Sequence, residues 1–338
     1  MNKNKETQKS AGKTNRERVM DILQDNSDTY MSGESISENL EISRASVWKH
    51  INSLKKEGYE IESKAGTGYR LVGKSVDRLT AYDVKKGLET GFIGQNFEYF
   101  ETIDSTNTYA GKCAENSPEG TVIAAGEQTA GRGRTGRKWI SKSSEGIYFS
   151  LILKPEIPVM RASFLTQVAG GALVEAFEEM DIPVKIKWPN DIILNGRKIC
   201  GILTEMKAEI DRISYVVVGI GINLTAEEFD EELERKATSL AKEGYRVDTA
   251  EILRKFFEIF ERRYIQFING DSEEILKTLR EKSAVIGREI YVVTSKSRTK
   301  VYAEDIDDRG NLIVREDDGT LKTVYTGEIS IRGLDSYI

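Results

Sequence analysis

Three glycines, Gly131, Gly133 and Gly136, form a G-x-G-x-x-G pattern inside the stretch GRGRTGRKW, and its surroundings limit the fold more than any other segment. In a dinucleotide-binding fold this pattern closes a strand and opens a helix within a βαβ unit. Here TVIAAGEQT before it reads as a strand, but Trp139, Ile140 and SKSSEG after it read as a strand end and a turn. No helix follows and no βαβ repeat surrounds it, so a doubly wound nucleotide fold is excluded. A P-loop is excluded too, because no G-K-[ST] completes the pattern there. What remains is a mobile Arg/Gly loop. Glycines let its backbone approach a ligand. If the loop is extended, Arg132 and Arg134 point to one side and offer charged forks for carboxylate or phosphate. Trp139 offers a flat surface for stacking. As a bare pattern, such a loop also suits a flexible surface or RNA-contacting segment.

The chain has 338 residues, 39% hydrophobic and 31% charged, which suits two or three globular domains. No apolar run reaches the roughly 18 residues of a membrane span, so no membrane association is expected. The first fifteen residues are polar, carry no signal-peptide core, and are expected to be a disordered tail. Two separated cysteines, Cys113 and Cys200, suit a reducing cytoplasm. A single histidine, His50, leaves no basis for a histidine triad or a zinc site. Cys200 reads as a small buried residue rather than a nucleophile. Residues 1–74 carry 13 Lys and Arg against 11 Asp and Glu, whereas the rest carries 36 against 44. An acidic bulk with a slightly basic N-terminal part suits a local nucleic-acid element, not a polyanion-coating protein.

Val19, Ile22 and Leu23 lie on one helix face. Ser32 caps a helix over about Gly33 to Leu40, and Ser43 caps a second from Arg44 to Glu57 with Val47, Ile51 and Leu54 as its apolar stripe. Two short helices around a tight turn form a helix-turn-helix over residues 33–52. The second helix holds Arg44, Lys49, Lys55 and Lys56 and no acid before Glu57. Ser43, Arg44, Ser46, Lys49, His50 and Asn52 are its candidate DNA-binding groups. Trp48, beside the stripe, is expected to be partly buried in the core. A hairpin around Lys64 to Gly68 would be the wing.

Further on, a short helix from Thr80 precedes a strand over about residues 97–103 that runs into DSTN, with a helix around Thr108 to Glu115. Ser105, Thr106 and Asn107 at that helix N-terminus gather hydroxyl, amide and backbone donors, although simple capping explains them equally. A helix is expected over about Ala162 to Met180. In VKIKWPNDIILNGRKICGILTEM a strand, a turn at Asn195-Gly196 and a second strand set Lys187, Asn190 and Asp191 opposite Lys198 and Gly201. A buried strand ends at Asn223. The region after a long amphipathic helix ending at Gly270 holds about five short strands.

In this order and spacing, DSTN, EQTAGRGRTGRKW, KWPND, GRKICGILTE and GIGINL resemble the biotin–protein ligases. With a winged helix in front, the chain is similar to those that also repress the biotin operon. The resemblance covers about residues 16–338. It implies a multidomain α+β fold: a winged helix-turn-helix at 16–74, a class II synthetase-like catalytic domain with a mixed sheet at 75–283, and an SH3-like β-barrel at 284–338. It implies formation of biotinyl-5′-AMP from biotin and ATP with Mg²⁺, without a tightly bound prosthetic group. Biotin then passes to a lysine of the biotin carboxyl carrier domains of carboxylases. Further implied partners are operator DNA and a second copy of the chain.

The same resemblance assigns residues. Ser105, Thr106, Asn107 and Gln128 would hold the biotin head, while Gly201 and Ile202 line its pocket. Arg132, Gly133 and Arg134 would wrap carboxylate and phosphate as the loop orders. Trp139 would flank adenine, and Asn190 and Asn223 would meet the nucleotide. Asp191 is the candidate Mg²⁺ ligand. Arg134, Lys198 and Lys187 are the candidate catalytic groups, since adenylation needs charge neutralisation and no general base. Two alternatives stay open: another acyl-adenylating enzyme such as a lipoate–protein ligase, or a non-catalytic biotin-sensing repressor.

Overall fold

The computed structural model describes residues 14–74, 79–294, 297–326, 330–333 and 337–338. The chain divides into two compact units between Tyr82 and Asp83. Among the described residues, no helix is long and apolar enough to cross a membrane.

The first unit begins with α1 (Asn15–Asp25). Thr14 accepts from the Glu17 amide and Glu17 from the Thr14 amide, a capping box. The helix therefore starts within the stretch expected to be a tail; residues 1–13 lie outside the described residues. Ser32 and Ser43 cap α2 (Gly33–Leu40) and α3 (Arg44–Lys56), as their sequence predicts. Strands β1 (Tyr59–Lys64) and β2 (Gly68–Lys74) pair antiparallel with Lys64 opposite Gly68, forming the wing. Met31 bridges Tyr69 through paired backbone hydrogen bonds of 2.8 and 2.9 Å, adding a third rung that periodicity did not reveal. Val19, Leu23, Ile36, Val47, Ile51 and Leu54 make the core. Trp48 is not part of it. At 100° per residue it lies about a quarter turn beyond the buried stripe, and it remains 59% exposed.

The second unit is built on a seven-stranded mixed sheet in the order β3-β4-β5-β9-β8-β7-β6. Its strands are β3 (Phe97–Ile103), β4 (Val122–Gln128), β5 (Gly146–Leu153), β6 (Lys185–Lys187), β7 (Asp191–Leu194), β8 (Arg197–Ala208) and β9 (Ile213–Asn223). Only β3 and β4 run parallel; every other pair is antiparallel. Helix α4 (Thr106–Cys113) starts two residues earlier than expected, because Ser105 is its cap. That shift places Thr106 and Asn107 in the first turn, where both are buried. The expected helix after Met160 is divided: a 3₁₀ stretch, Val159–Phe164, leads into α5 (Leu165–Glu178). Helix α6 (Thr249–Ile268) seats Phe256 and Phe257 against Phe149 at ring distances of 5.6 and 5.8 Å. Helix α7 (Glu273–Glu281) follows.

The Asn195-Gly196 turn forms as expected, with φ of 48° and 77°. The strand before it does not run through. Trp188, Pro189 and Asn190 interrupt it, leaving β6 and β7 as separate short strands. Pro189 has no backbone N–H for the ladder, and at the break buried Trp188 donates its indole N–H to the Gly310 carbonyl at 2.9 Å. Gly310 precedes β12 in a five-stranded antiparallel sheet ordered β13-β12-β11-β10-β14. These strands are β10 (Glu289–Val293), β11 (Arg298–Ile306), β12 (Leu312–Arg315), β13 (Leu321–Val324) and β14 (Ser330–Arg332). Arg280 of α7 also reaches this sheet, donating to Asp305 at 3.0 Å and to the Ile306 carbonyl at 2.6 Å.

Candidate active site

The first turn of α4, the end of β4, the Arg/Gly loop, Asn190 and parts of β8 and β9 enclose a small polar cavity of about 60 Å³. Thr106 donates its backbone N–H to Gln128 Oε1 at 2.8 Å, and Gln128 Nε2 donates to Ser141 Oγ at 2.9 Å. The Ser150 hydroxyl lies 2.8 Å from Thr106 Oγ1 and 2.7 Å from Asn107 Oδ1. Asn107 Nδ2 donates to Glu205 at 2.9 Å and to the Leu203 carbonyl at 3.3 Å. Apart from Glu205, which accepts from Asn107 and pairs with Arg132, the groups at this end are mutually hydrogen-bonded dipoles, suited to a neutral ligand that both donates and accepts. Gly219 supports them from beneath: a Cβ there would stand 1.8 Å from Asn107 Oδ1. Ser105 lines the cavity, but its hydroxyl caps α4.

A larger cavity of about 380 Å³ adjoins it. Trp139 lies over the sheet, and a Cβ on Gly221 would meet its indole nitrogen at 2.4 Å. That nitrogen is buried without a hydrogen-bond partner among the described residues, a donor that a bound ligand would satisfy. Lys198 Nζ lies 5.1 Å from the Trp139 ring and 2.5 Å from Asp191 Oδ1. The Tyr337 hydroxyl donates to the other Asp191 oxygen at 2.5 Å. Burial alone would raise the Asp191 pKa, but Lys198, Lys187 and the Tyr337 hydroxyl hold it below the usual carboxylate range. Lys187 is buried, donates to the Tyr337 carbonyl at 2.9 Å and sits 3.2 Å from that ring. Burial pulls its pKa down to about 6, against the opposing pull of Asp191. Asn223 also lines this cavity and donates to the Thr238 carbonyl at 3.0 Å.

The structure thus gathers Thr106, Asn107, Gln128, Arg132, Gly133, Arg134, Gly201 and Ile202 at the small cavity, and Lys187, Asp191 and Asn223 at the large one. Gly133, Arg134, Trp139, Asn190 and Lys198 line both. The Arg/Gly loop is not extended. Arg134–Gly136 form a 3₁₀ turn with Thr135 at φ 55°, and Arg132 bridges Lys138. Its two arginines therefore diverge: Arg132 pairs with Glu205 at 2.8 Å, whereas Arg134 donates to Asn190 at 3.0 Å and to the Thr326 carbonyl at 2.5 Å. Cys200 is fully buried and its thiol pKa is pushed up by that burial, so it is no nucleophile.

Sequence inspection missed Ser150, Glu205, Gly219, Gly221 and Tyr337. Ser150 was visible as the lone serine in the apolar run GIYFSLIL, and Gly219 and Gly221 as glycines inside a strand. Nothing local marked Tyr337, which reaches Asp191 from 146 residues away.

On α3, the candidate DNA-binding groups do not share one face. Arg44 and Lys49 are exposed. Asn52, four residues beyond Trp48, lies on the same flank. Ser43 and Ser46 are engaged in the cap: the Ser43 hydroxyl accepts from the Ser46 amide at 3.1 Å and lies 2.9 Å from the Ser46 hydroxyl. His50 is half-buried, and burial, then the Arg16 charge, lower its pKa.

Among the described residues, no group of three His, Cys, Asp or Glu side chains could cage a metal. Both oxygens of Asp191, the carboxylate nearest Lys198, are engaged by Lys198 and the Tyr337 hydroxyl, so a metal carried by substrate phosphates would have to displace one of them.

Three family models match the chain: "HTH domain" over residues 15–70, "Biotin/lipoate A/B protein ligase family" over 99–223, and "Biotin protein ligase C terminal domain" over 285–332. The bifunctional ligase/repressor BirA of Bacillus subtilis (strain 168) is 39% identical over 324 residues, covering 94% of this chain and 99% of that protein. The protein of the same name from Escherichia coli (strain K12) is 29% identical, covering 90% and 94%. The structure of biotin protein ligase from Aquifex aeolicus in complex with biotin and ATP matches with a TM-score of 0.62 and 30% identity, covering 70% of this chain and 99% of that one. A helix-turn-helix, a ligase cleft and a C-terminal β domain in one chain, with such a relative matched almost end to end, place the protein in the family of bifunctional biotin protein ligase/repressors.

Proposed function

We propose that the protein activates biotin with ATP and transfers it to a carrier lysine, and that it represses transcription through its winged helix. The observation that carries the ligase half is the set of residues common to both cavities: Gly133, Arg134, Trp139, Asn190 and Lys198. The biotin head occupies the small cavity against Thr106, Asn107 and Gln128. ATP occupies the large one, with adenine beside Trp139 and its phosphates toward Lys187, Asn190 and Asn223. The biotin carboxylate and the α-phosphate then meet at the shared wall.

A carboxylate oxygen attacks the α-phosphorus, and the bond to pyrophosphate breaks. Both reactants are anions, so the barrier is charge repulsion, which Lys198 and Arg134 lower. Asp191 is the residue that would help hold Mg²⁺, which would supply charge neutralisation at the departing pyrophosphate. In the second step the carrier lysine, as a free amine, attacks the acyl carbon and AMP leaves. A third cavity of about 260 Å³, lined by Thr166, Thr204, Met206 and Thr326, joins the others at Arg134 and Asn190 and gives the lysine a path.

The division of labour follows the chain: residues 16–74 bind operator DNA, 75–283 form the ligase, and 284–338 brace it. Closure of the Arg/Gly loop on biotinyl-5′-AMP favours a homodimer that presents two winged helices to a palindromic operator. Two widely separated cysteines suit work in a reducing cytoplasm.

Biotin-dependent ATP–pyrophosphate exchange, followed by transfer to a carrier domain, tests the ligase. Exchange with lipoate in place of biotin would replace the substrate. Adenylate formation without transfer would reduce the protein to a sensor. A gel shift with biotin and ATP tests the repressor half.

A further inference from the structure

Helix α3 keeps a large apolar side chain in water. Trp48 is 59% exposed, while Val47, Ile51 and Leu54 of the same helix are buried. Its neighbours on the outward flank are Arg44 and Ala45 one turn before it, Lys49 beside it, and Asn52 one turn after. Arg44 and Lys49 are exposed cations, Ala45 is exposed and small, and the helix carries no acid from Arg44 to Lys56. Lys55 is drawn aside to the wing, donating to Ser63 at 2.9 Å, and His50 is half-buried. The exposed indole is therefore framed by two cations and an amide.

We propose that Trp48 is a sequence-reading residue of the DNA-binding surface, its indole packing on the C5 methyl group of a thymine in the major groove. This rests on the repressor function proposed above. The flanking charges fit a polyanion and disfavour a basic or apolar protein partner. A major groove is wide enough for a helix, and its apolar feature is the thymine methyl. Ala45 leaves room for close approach on one side. Arg44 and Lys49 reach phosphates on either side, which sets register without reading sequence.

The test uses the full-length protein with biotin, ATP and Mg²⁺. Duplexes are first selected by the parent from a random-sequence library. Affinities are then measured for the parent, Trp48→Ala, Trp48→Phe and Lys49→Ala. Each meets the selected duplex, the same duplex with thymines replaced singly by deoxyuridine, and a scrambled duplex.

Trp48→Ala should lose on the order of tenfold or more on the selected duplex, as a wrong base pair does. It should match the parent on the scrambled duplex, with an unchanged salt slope. Removing one thymine methyl should weaken the parent but not Trp48→Ala, and Trp48→Phe should fall between. Lys49→Ala should weaken both duplexes alike. Circular dichroism and melting confirm that the variants fold. Equal binding by Trp48→Ala and parent, or an equal deoxyuridine effect in both, overturns the proposal. So does a change in self-association without one in DNA selectivity, which would place Trp48 at a protein interface. A parent that selects no duplex sinks the repressor function itself, and this proposal with it.

Discussion

At one end of the cleft Thr106, Asn107, Gln128 and Ser150 are neutral and hydrogen-bonded to one another; at the other, Lys198 and Asp191 form a charged, half-buried pair beside Lys187, which burial pulls toward the neutral amine. The first arrangement is already paired without a net charge, so it orients a ligand at little electrostatic cost. The second balances the Lys198 cation against the Asp191 carboxylate, a pair that a triphosphate and its metal would have to reapportion. The contrast separates recognition from chemistry: change at the neutral end should alter which acid is bound, and change at the charged end how fast it reacts.

Lys198→Ala should do the most damage. It removes the cation at the shared wall and leaves Asp191 short of its 2.5 Å partner. Pyrophosphate exchange should fall by a factor on the order of 10²–10³, with a smaller change in the KM for biotin. A loss confined to biotin KM would break the contrast. Gly219→Ala attacks the neutral end, where a Cβ would stand 1.8 Å from Asn107. Overpacking of about 1–3 kcal/mol should appear as weaker biotin binding with ATP affinity kept. Equal losses for both ligands in calorimetry would show that the two ends are not independent.

Arg134→Ala falls between the two ends, since that side chain lines both cavities. Loss of a charge-assisted contact, about 1.5–3 kcal/mol, should speed release of the acyl-adenylate from the protein. An unchanged release rate would remove the loop from the clamp role.

The last effect concerns stability rather than activity. Lys187 titrates near 6 in the folded protein but at about 10.4 when unfolded. Between those values the unfolded chain holds more protons, so stability rises with pH. The destabilisation by Lys187 is complete below its folded pKa and fades toward alkaline pH. Lys187→Met should therefore raise the melting temperature most near pH 6, and the gap should close toward pH 10. A gap independent of pH would mean that Lys187 is not held neutral by burial.

The capping serines of α2 and α3, their apolar stripes, the Asn195-Gly196 turn and the strands around GIGINL were all legible before any coordinates. Each depends on neighbours only a few residues apart, where 3.6-fold or two-fold spacing and turn chemistry act directly. The motif segments likewise exposed which polar residues would gather, because DSTN, GRGRTGRKW and KWPND carry their side chains within short runs.

What those residues touch was decided by tertiary structure. No local rule turns Arg132 toward Glu205 and Arg134 toward Thr326, seats Trp188 against Gly310, or brings Tyr337 onto Asp191. Trp48 makes the same point on the other unit: its position beside an apolar stripe suggested burial, but Val47, Ile51 and Leu54 already fill the core and leave it in solvent. Periodicity determines which face a side chain joins to within about a quarter turn. Whether a partner occupies that face depends on segments tens to hundreds of residues away, and only the folded chain brings them there.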